Sequence, residues 1–218
     1  MVRVGLHLEG RQDDAILTVY LARLLGIGTG ALTVELNEVR ARGIGQLFLS
    51  LPRAIQKFWY LKAAAVVVGV DNDGENFVGE EDPHHPRHWR HEGRADRCRY
   101  CRCESAVHRA IGALSPSQHG AARAWPVVIS VPVEALEAWL LEDAQIVGRR
   151  PYRPAESLPR SRLKTMLYGR PRPTAEDIER IAIPIAENAD LRSLRQRSRS
   201  FALFAARVLE YKGAILAS

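Results

Sequence analysis

Two short apolar runs, each closed by an acidic turn, constrain this chain more than any other feature. Val2–Leu8 and residues 63–70 are rich in Val, Leu and Ala and are bounded by turn residues, so both read as strands buried on two faces. Glu9-Gly10 closes the first run, and Asp71-Asn72-Asp73-Gly74 closes the second. Residues just past the carboxyl ends of parallel strands line the crevice in which open α/β sheets receive ligands. Three carboxylates would then share one small volume and repel each other unless a cation lies between their oxygens. Oxygen-only ligands suit a hard cation, Mg²⁺ or Mn²⁺.

The chain between and after these runs alternates helix and strand patterns. Asp13 or Asp14 can cap a helix through about Leu25, with Ile16, Leu17, Leu21, Leu24 and Leu25 on its apolar face. Residues 32–39 alternate as a second strand, and residues 43–62 keep helical spacing around Pro52, which can split the helix. Residues 126–131 read as a fourth strand, and Pro132 suits entry to a helix over 133–142. The expected fold is α/β, a mostly parallel, Rossmann-like sheet with right-handed crossovers and flanking helices.

Two regions depart from this alternation. Residues 75–104 are long, polar and rich in Cys, His and Arg, so they read as an insertion after the acidic turn. Residues 149–173 hold five prolines and read as a loop or arm leading to a helical tail. In that tail Phe201, Phe204, Ala205, Val208 and Leu209 should face inward, with Arg192, Arg195 and Arg199 pointing elsewhere. The expected organisation is an α/β domain over 1–145 and a Pro/Arg-rich arm with a helical region over 146–218, packed on the same domain.

Composition narrows the partners. No apolar run approaches the ~18 residues of a membrane helix and no secretory segment opens the chain, so a cytoplasmic protein without a membrane partner is expected. Three cysteines confined to 98–103 argue against a disulfide framework. The net charge is +6, and much of it lies in Arg87, Arg90, Arg94, Arg97, Arg99 and Arg102 and in Arg192, Arg195, Arg197 and Arg199. Basic flanks around an acidic centre suit a nucleic acid held at the rim, although either block can equally be a solvated face. A homodimer would extend that basic surface.

Glu9-Gly10-Arg11-Gln12-Asp13 followed by Asp71-Asn72-Asp73 resembles the Toprim domain of topoisomerases, bacterial primases, recombination factors and overcoming-lysogenization-defect nucleases. Residues 132–143, with Glu137, Trp139 and Asp143, are similar to a stretch of small bacterial Toprim-like proteins of unknown function, and Ser200-Phe201-x-x-Phe204 resembles their C-terminal helix. The resemblance implies that Glu9, Asp71 and Asp73 are catalytic. Asp71 and Asp73 would hold Mg²⁺, Glu9 would be a ligand or general acid/base, and Glu137, or Glu134 one turn earlier, would complete a second metal position. A topoisomerase needs a tyrosine on a separate domain and a primase needs further domains, so hydrolysis remains. The implied activity is that of a Mg²⁺-dependent nuclease on DNA or RNA, in phage defence or nucleic-acid processing. The alternatives are a non-catalytic nucleic-acid-binding module, or a subunit that partners an ATPase. The nucleic-acid contacts would come from Arg11, the Arg87–Arg102 block, Arg195 and Arg199.

Each of these acids also has a purely structural role open to it. Glu9 can pair with Arg11, Asp13 can cap its helix, and Asp71-Asn-Asp-Gly is a strong turn sequence. Glu134 and Glu137 suit the dipole of a first helical turn, and Asp143 can end that helix. Glu75 is a weaker candidate, and His7, within the first strand, reads as a packed histidine.

The insertion has its own chemistry. Cys98-x-x-Cys101 has zinc-knuckle spacing, and Cys103 with His88 or His91 could complete four N/S ligands for a structural Zn²⁺. The bland alternative is a basic loop with incidental cysteines. Fixed by metal, the loop would hold its arginines against phosphates, with Trp89 and Tyr100 available to stack on bases.

Overall fold

The computed structural model describes residues 1–10, 13–37, 43–71, 99–114, 125–132, 135–142 and 154–218. Four strands, β1 (Val2–Leu8), β2 (Leu32–Leu36), β3 (Ala65–Gly69) and β4 (Val127–Ser130), pair in parallel in the order β2-β1-β3-β4. Helix α1 (Asp13–Leu25) links β1 to β2, α2 (Ile44–Tyr60) precedes β3, and α3 (Arg99–Gly112) precedes β4. The chain therefore forms the expected α/β fold, with helices on both faces of a Rossmann-like parallel sheet.

The central strands are buried on both faces, with side chains alternating between two cores. Val67 and Val128 face a core with α1, whereas Val66, Val68 and Ile129 face α2 and α3. Gly5 of β1 is required by close packing: any Cβ there would overlap the ring of Phe58 on α2. Pro52 is exposed, so its ring stays clear of the core and α2 runs through it unbroken.

After β4 come α4 (Leu136–Leu141), a short turn at Ala155–Ser157, and α5 (Arg160–Tyr168). A helix over residues 175–188 follows as α6, with its middle turn Ile178–Ala182 π-helical; α7 (Leu191–Arg197) and α8 (Arg199–Leu216) complete the described chain. Three expectations change here. Residues 99–104 belong to α3 and not to an irregular insertion, and 75–98 lie outside the described residues. The expected arm contains α5, because its prolines punctuate the helix: Pro159 stands just before it, and Gly169, left-handed at φ 75°, ends it ahead of Pro171. Leu209 is 37% exposed, since the inward arc of α8 is filled by Phe201, Phe204, Ala205, Val208 and Ile215. Arg192, Arg195 and Arg199 are exposed, as the spacing predicts, and so is Arg197.

Helix α1 is buried on nearly all sides because the C-terminal helices cover the face that the sheet leaves open. Arg23 of α1 donates to the carbonyls of Ala186 (2.6 Å) and Ala189 (2.7 Å), satisfying the end of α6. Trp139 of α4 lies at the centre of this core. It stacks on Phe204 with centroids 5.4 Å apart and meets Tyr20 and Phe201 edge-on. Its indole N–H donates to Ser200 Oγ at 2.6 Å, and Ser200 in turn donates to Glu156. Among the described residues, no helix is long and apolar enough to cross a membrane.

Ser200→Ala removes the hydrogen-bond acceptor of the buried Trp139 indole N–H, so it should destabilise the protein by about 1–3 kcal/mol. The check is a denaturant midpoint that falls at unchanged m-value, against an exposed Arg195→Ala control that shifts it within about 0.5 kcal/mol.

Candidate functional site

The strand order reverses between β1 and β3: from β1 the chain moves to β2 on one side, then crosses to β3 on the other. The carboxyl ends of two such strands flank the crevice that the topology leaves open. Glu9 follows β1 and Asp71 follows β3, so the two acids stand on either side of that point. The Glu9 N–H donates to the Gly69 carbonyl (3.0 Å) and the Val70 N–H to the Ser130 carbonyl (3.0 Å), which aligns three strand ends. By the alternation of the strands, Asp71 and Ser130 lie on the α1 side of the sheet, like Val67 and Val128.

On that side a cleft is lined by Leu8, Asp13, Leu17, Gly69, Val70, Asp71, Ser130, Pro132 and Leu136. Asp13 opens α1, and Glu137 lies in the first turn of α4. The Asp13 carboxylate lies against the bare backbone of Gly10, where a Cβ would force it to move.

Four carboxylates therefore act on one another. Burial pushes the Asp13 carboxyl up to about 6, with the charge of Glu137 adding to the effect and Lys164 and Arg160 opposing it. Burial, and then the charges of Asp13, Glu137 and Glu9, raise Asp71 well above the usual carboxylate range, against the pull of Arg160. Three basic side chains neutralise the cluster. Arg160 Nη2 lies 3.1 Å from Asp71 Oδ2, Lys164 Nζ 3.5 Å from Glu137 Oε1, and Arg99 Nη1 3.7 Å from Glu9 Oε2. Two buried hydroxyls, Ser130 Oγ and Tyr168 Oη, have no hydrogen-bond partner among the described residues. Burial, with the charges of Glu137 and Asp13, raises the Tyr168 phenol, which stays protonated.

The structure thus brings Glu9, Asp71 and Glu137 of the expected residues to one end of the sheet. Arg11, Asp73, Glu75, Glu134 and Asp143 lie outside the described residues. Among the described residues, no group of three His, Cys, Asp or Glu is placed to hold a metal ion. The donors facing the cleft are nevertheless all hard oxygens, and the partnerless Ser130 hydroxyl adds one more. That chemistry fits Mg²⁺ or Mn²⁺ and not a soft metal.

His7 is the packed histidine expected: its Nε2 donates to the Leu47 carbonyl at 2.9 Å, and burial pulls its pKa down. Cys101 and Cys103 are buried on α3, two residues apart and so about 200° around the axis, with Cys103 in the core against α2. The other expected zinc ligands, Cys98, His88 and His91, lie outside the described residues, as do Trp89, Arg87, Arg90, Arg94 and Arg97. Arg99 turns inward to Glu9, and the Arg102 guanidinium sits 5.2 Å from the centroid of the Phe48 ring. Arg195 and Arg199 are exposed on α7 and α8.

Sequence reasoning passed over Arg160, Lys164, Tyr168 and Ser130, and it left Asp13 as a cap. One signal was present: Arg160, Lys164 and Tyr168 recur every four residues, which is the spacing of one helix face.

The arrangement is an acidic, cation-neutralised cleft at the switch point of a Rossmann-like parallel sheet. No protein-family model, curated protein or solved structure matches the chain.

The raised Asp13 carboxyl has a stability consequence of definite sign. The folded protein holds this proton up to about pH 6, whereas the unfolded chain releases it near 3.8, so folding loses stability as pH rises through that window. In EDTA, Asp13→Asn should therefore gain on wild type between about pH 4 and 6 and level off above, by about 3 kcal/mol at most. Denaturant titrations of both proteins across pH 4–8 measure this difference; a flat difference would refute it.

Proposed function

We propose that this chain is a Toprim-like, divalent-metal-dependent phosphodiesterase that hydrolyses the backbone of DNA or RNA. The observation that carries the reading is the meeting of Glu9 and Asp71 at the switch point of the sheet, with Asp13 and Glu137 facing them. Asp71, with Glu9 and Asp73, would hold Mg²⁺ or Mn²⁺, and Glu137 would serve a second position. Bound there, the ion would offset charge developing on the phosphate and lower the pKa of an attacking water. Asp13, raised to about 6, is suited to take up and release a proton near neutral pH. The buried Ser130 hydroxyl offers the cleft one more donor. Leu8, Leu17 and Leu136 form an apolar lining that limits water and strengthens each of these interactions. A role in phage defence enters through the Toprim-like resemblance alone, and a subunit that docks an ATPase is a competing reading.

The test is cleavage of circular single-stranded DNA, plasmid and structured RNA in Mg²⁺, Mn²⁺ or EDTA. Wild type should cut at least one substrate only with metal, and Asp71→Ala/Asp73→Ala should lose at least about 100-fold in rate. Binding that survives EDTA with no product under any condition would instead identify a binding module.

A further inference from the structure

Helix α5 presents Arg160, Lys164 and Tyr168 at i, i+4 and i+8, a single face that meets the acidic cleft. Two of the three are tied to the acids directly, Arg160 to Asp71 at 3.1 Å and Lys164 to Glu137 at 3.5 Å. The Tyr168 phenol feels the charges of Glu137 and Asp13, and its hydroxyl has no hydrogen-bond partner among the described residues. We infer that this face of α5 is the phosphate-binding wall of the cleft, and that its basic side chains pass from the carboxylates to a substrate phosphate when a divalent cation is bound. The inference rests on the metal-dependent reading above and names the residues that would grip its substrate.

Charge balance argues for it. Four carboxylates, Glu9, Asp13, Asp71 and Glu137, face three basic side chains, Arg99, Arg160 and Lys164. Among the described residues, the cleft has no excess positive charge to hold an anion. A bound divalent ion reverses that sign, and it also competes with Arg160 and Lys164 for Asp71 and Glu137. Both side chains have long, flexible stems, and Arg160 is already 39% exposed against 5% for the Asp71 side chain it meets. A guanidinium and an ammonium released beside a metal-bound phosphate make charge-assisted hydrogen bonds to its oxygens. Ser130, fully buried on the cleft wall beside Asp71, has a hydroxyl that lacks a partner among the described residues and is open to a ligand's hydrogen bond.

The experiment measures binding and not turnover. A labelled single-stranded oligonucleotide is titrated in Ca²⁺ and in EDTA over a series of NaCl concentrations, with Ca²⁺ uptake followed separately by calorimetry and folding by thermal melting. Ca²⁺ should tighten wild-type binding by about tenfold or more, and Arg160→Gln/Lys164→Gln should lose most of that gain and about 1.4 from the salt slope. The double variant should still take up Ca²⁺, and Arg160→Lys, which keeps the charge, should retain most of the gain. If the double variant fails to fold, Arg160→Gln alone decides, with a loss of about 0.7 from the slope expected. A folded variant with undiminished Ca²⁺ gain overturns the role of α5 and leaves the metal reading standing. A wild type that takes up no Ca²⁺ and gains no affinity overturns both.

Discussion

The hydrogen bond from Trp139 to Ser200 joins the sheet half of the molecule to its helical half. Trp139 is fully buried, and its indole N–H reaches Ser200 Oγ at 2.6 Å on the first turn of α8. Glu156 Oε1 then accepts from both the hydroxyl and the N–H of Ser200, and from Ser198 Oγ at 2.7 Å. Trp139, Ser198 and Ser200 are buried, so their polar groups depend on one another and on the half-buried Glu156 for partners. The network fixes α4, and with it Glu137 two residues before Trp139. It also fixes Glu156, four residues before Arg160. The wall of the cleft is thus positioned by packing that lies behind it.

Charge in this molecule is distributed with the same economy. Each basic residue in the cleft comes from a different stage of the chain than the acid it meets: Arg99 from the β3–β4 crossover to Glu9 after β1, and Arg160 from α5 to Asp71 after β3. Asp71 is almost wholly enclosed, so removing its partner would leave a costly uncompensated charge or a protonated acid. Of the Arg87–Arg102 block, the two described arginines are both engaged within the fold. Arg99 belongs to the acids, and Arg102 lies over an aromatic ring.

The parts of this architecture legible in the sequence were those set by local pattern. Val-rich runs ending in Glu9 and Asp71, and the apolar face of α1, announce themselves because burial on one or two faces leaves a short period in the chain. Glu137, Trp139 and Ser200 were visible as a resemblance, but the pairing of Trp139 with Ser200 was not, because it spans 61 residues and obeys no period. Helix α5 was hidden by prolines that flank it without entering it. Asp13 looked like a cap, whereas its carboxylate lies in the cleft against the bare backbone of Gly10. The fit of Leu209 to the apolar spacing of α8 was misleading, since spacing gives the width of an apolar face and not where its partner ends.

Helix α1 carries a consequence for how the chain reaches this state. Its Arg23 bonds to carbonyls 163 and 166 residues away, and the Leu24 carbonyl accepts from Lys212 across 188 residues. A helix made early in synthesis thus has one apolar flank that stays uncovered until nearly all the rest of the described chain has been made. Contacts of such separation slow folding, because loop closure must precede any reward. At about 5–20 residues per second the ribosome would leave that flank bare for about ten seconds or more. In that interval the nascent chain exposes apolar surface, and its acidic cleft, still lacking α5, has Arg99 but neither Arg160 nor Lys164 to offset its carboxylates.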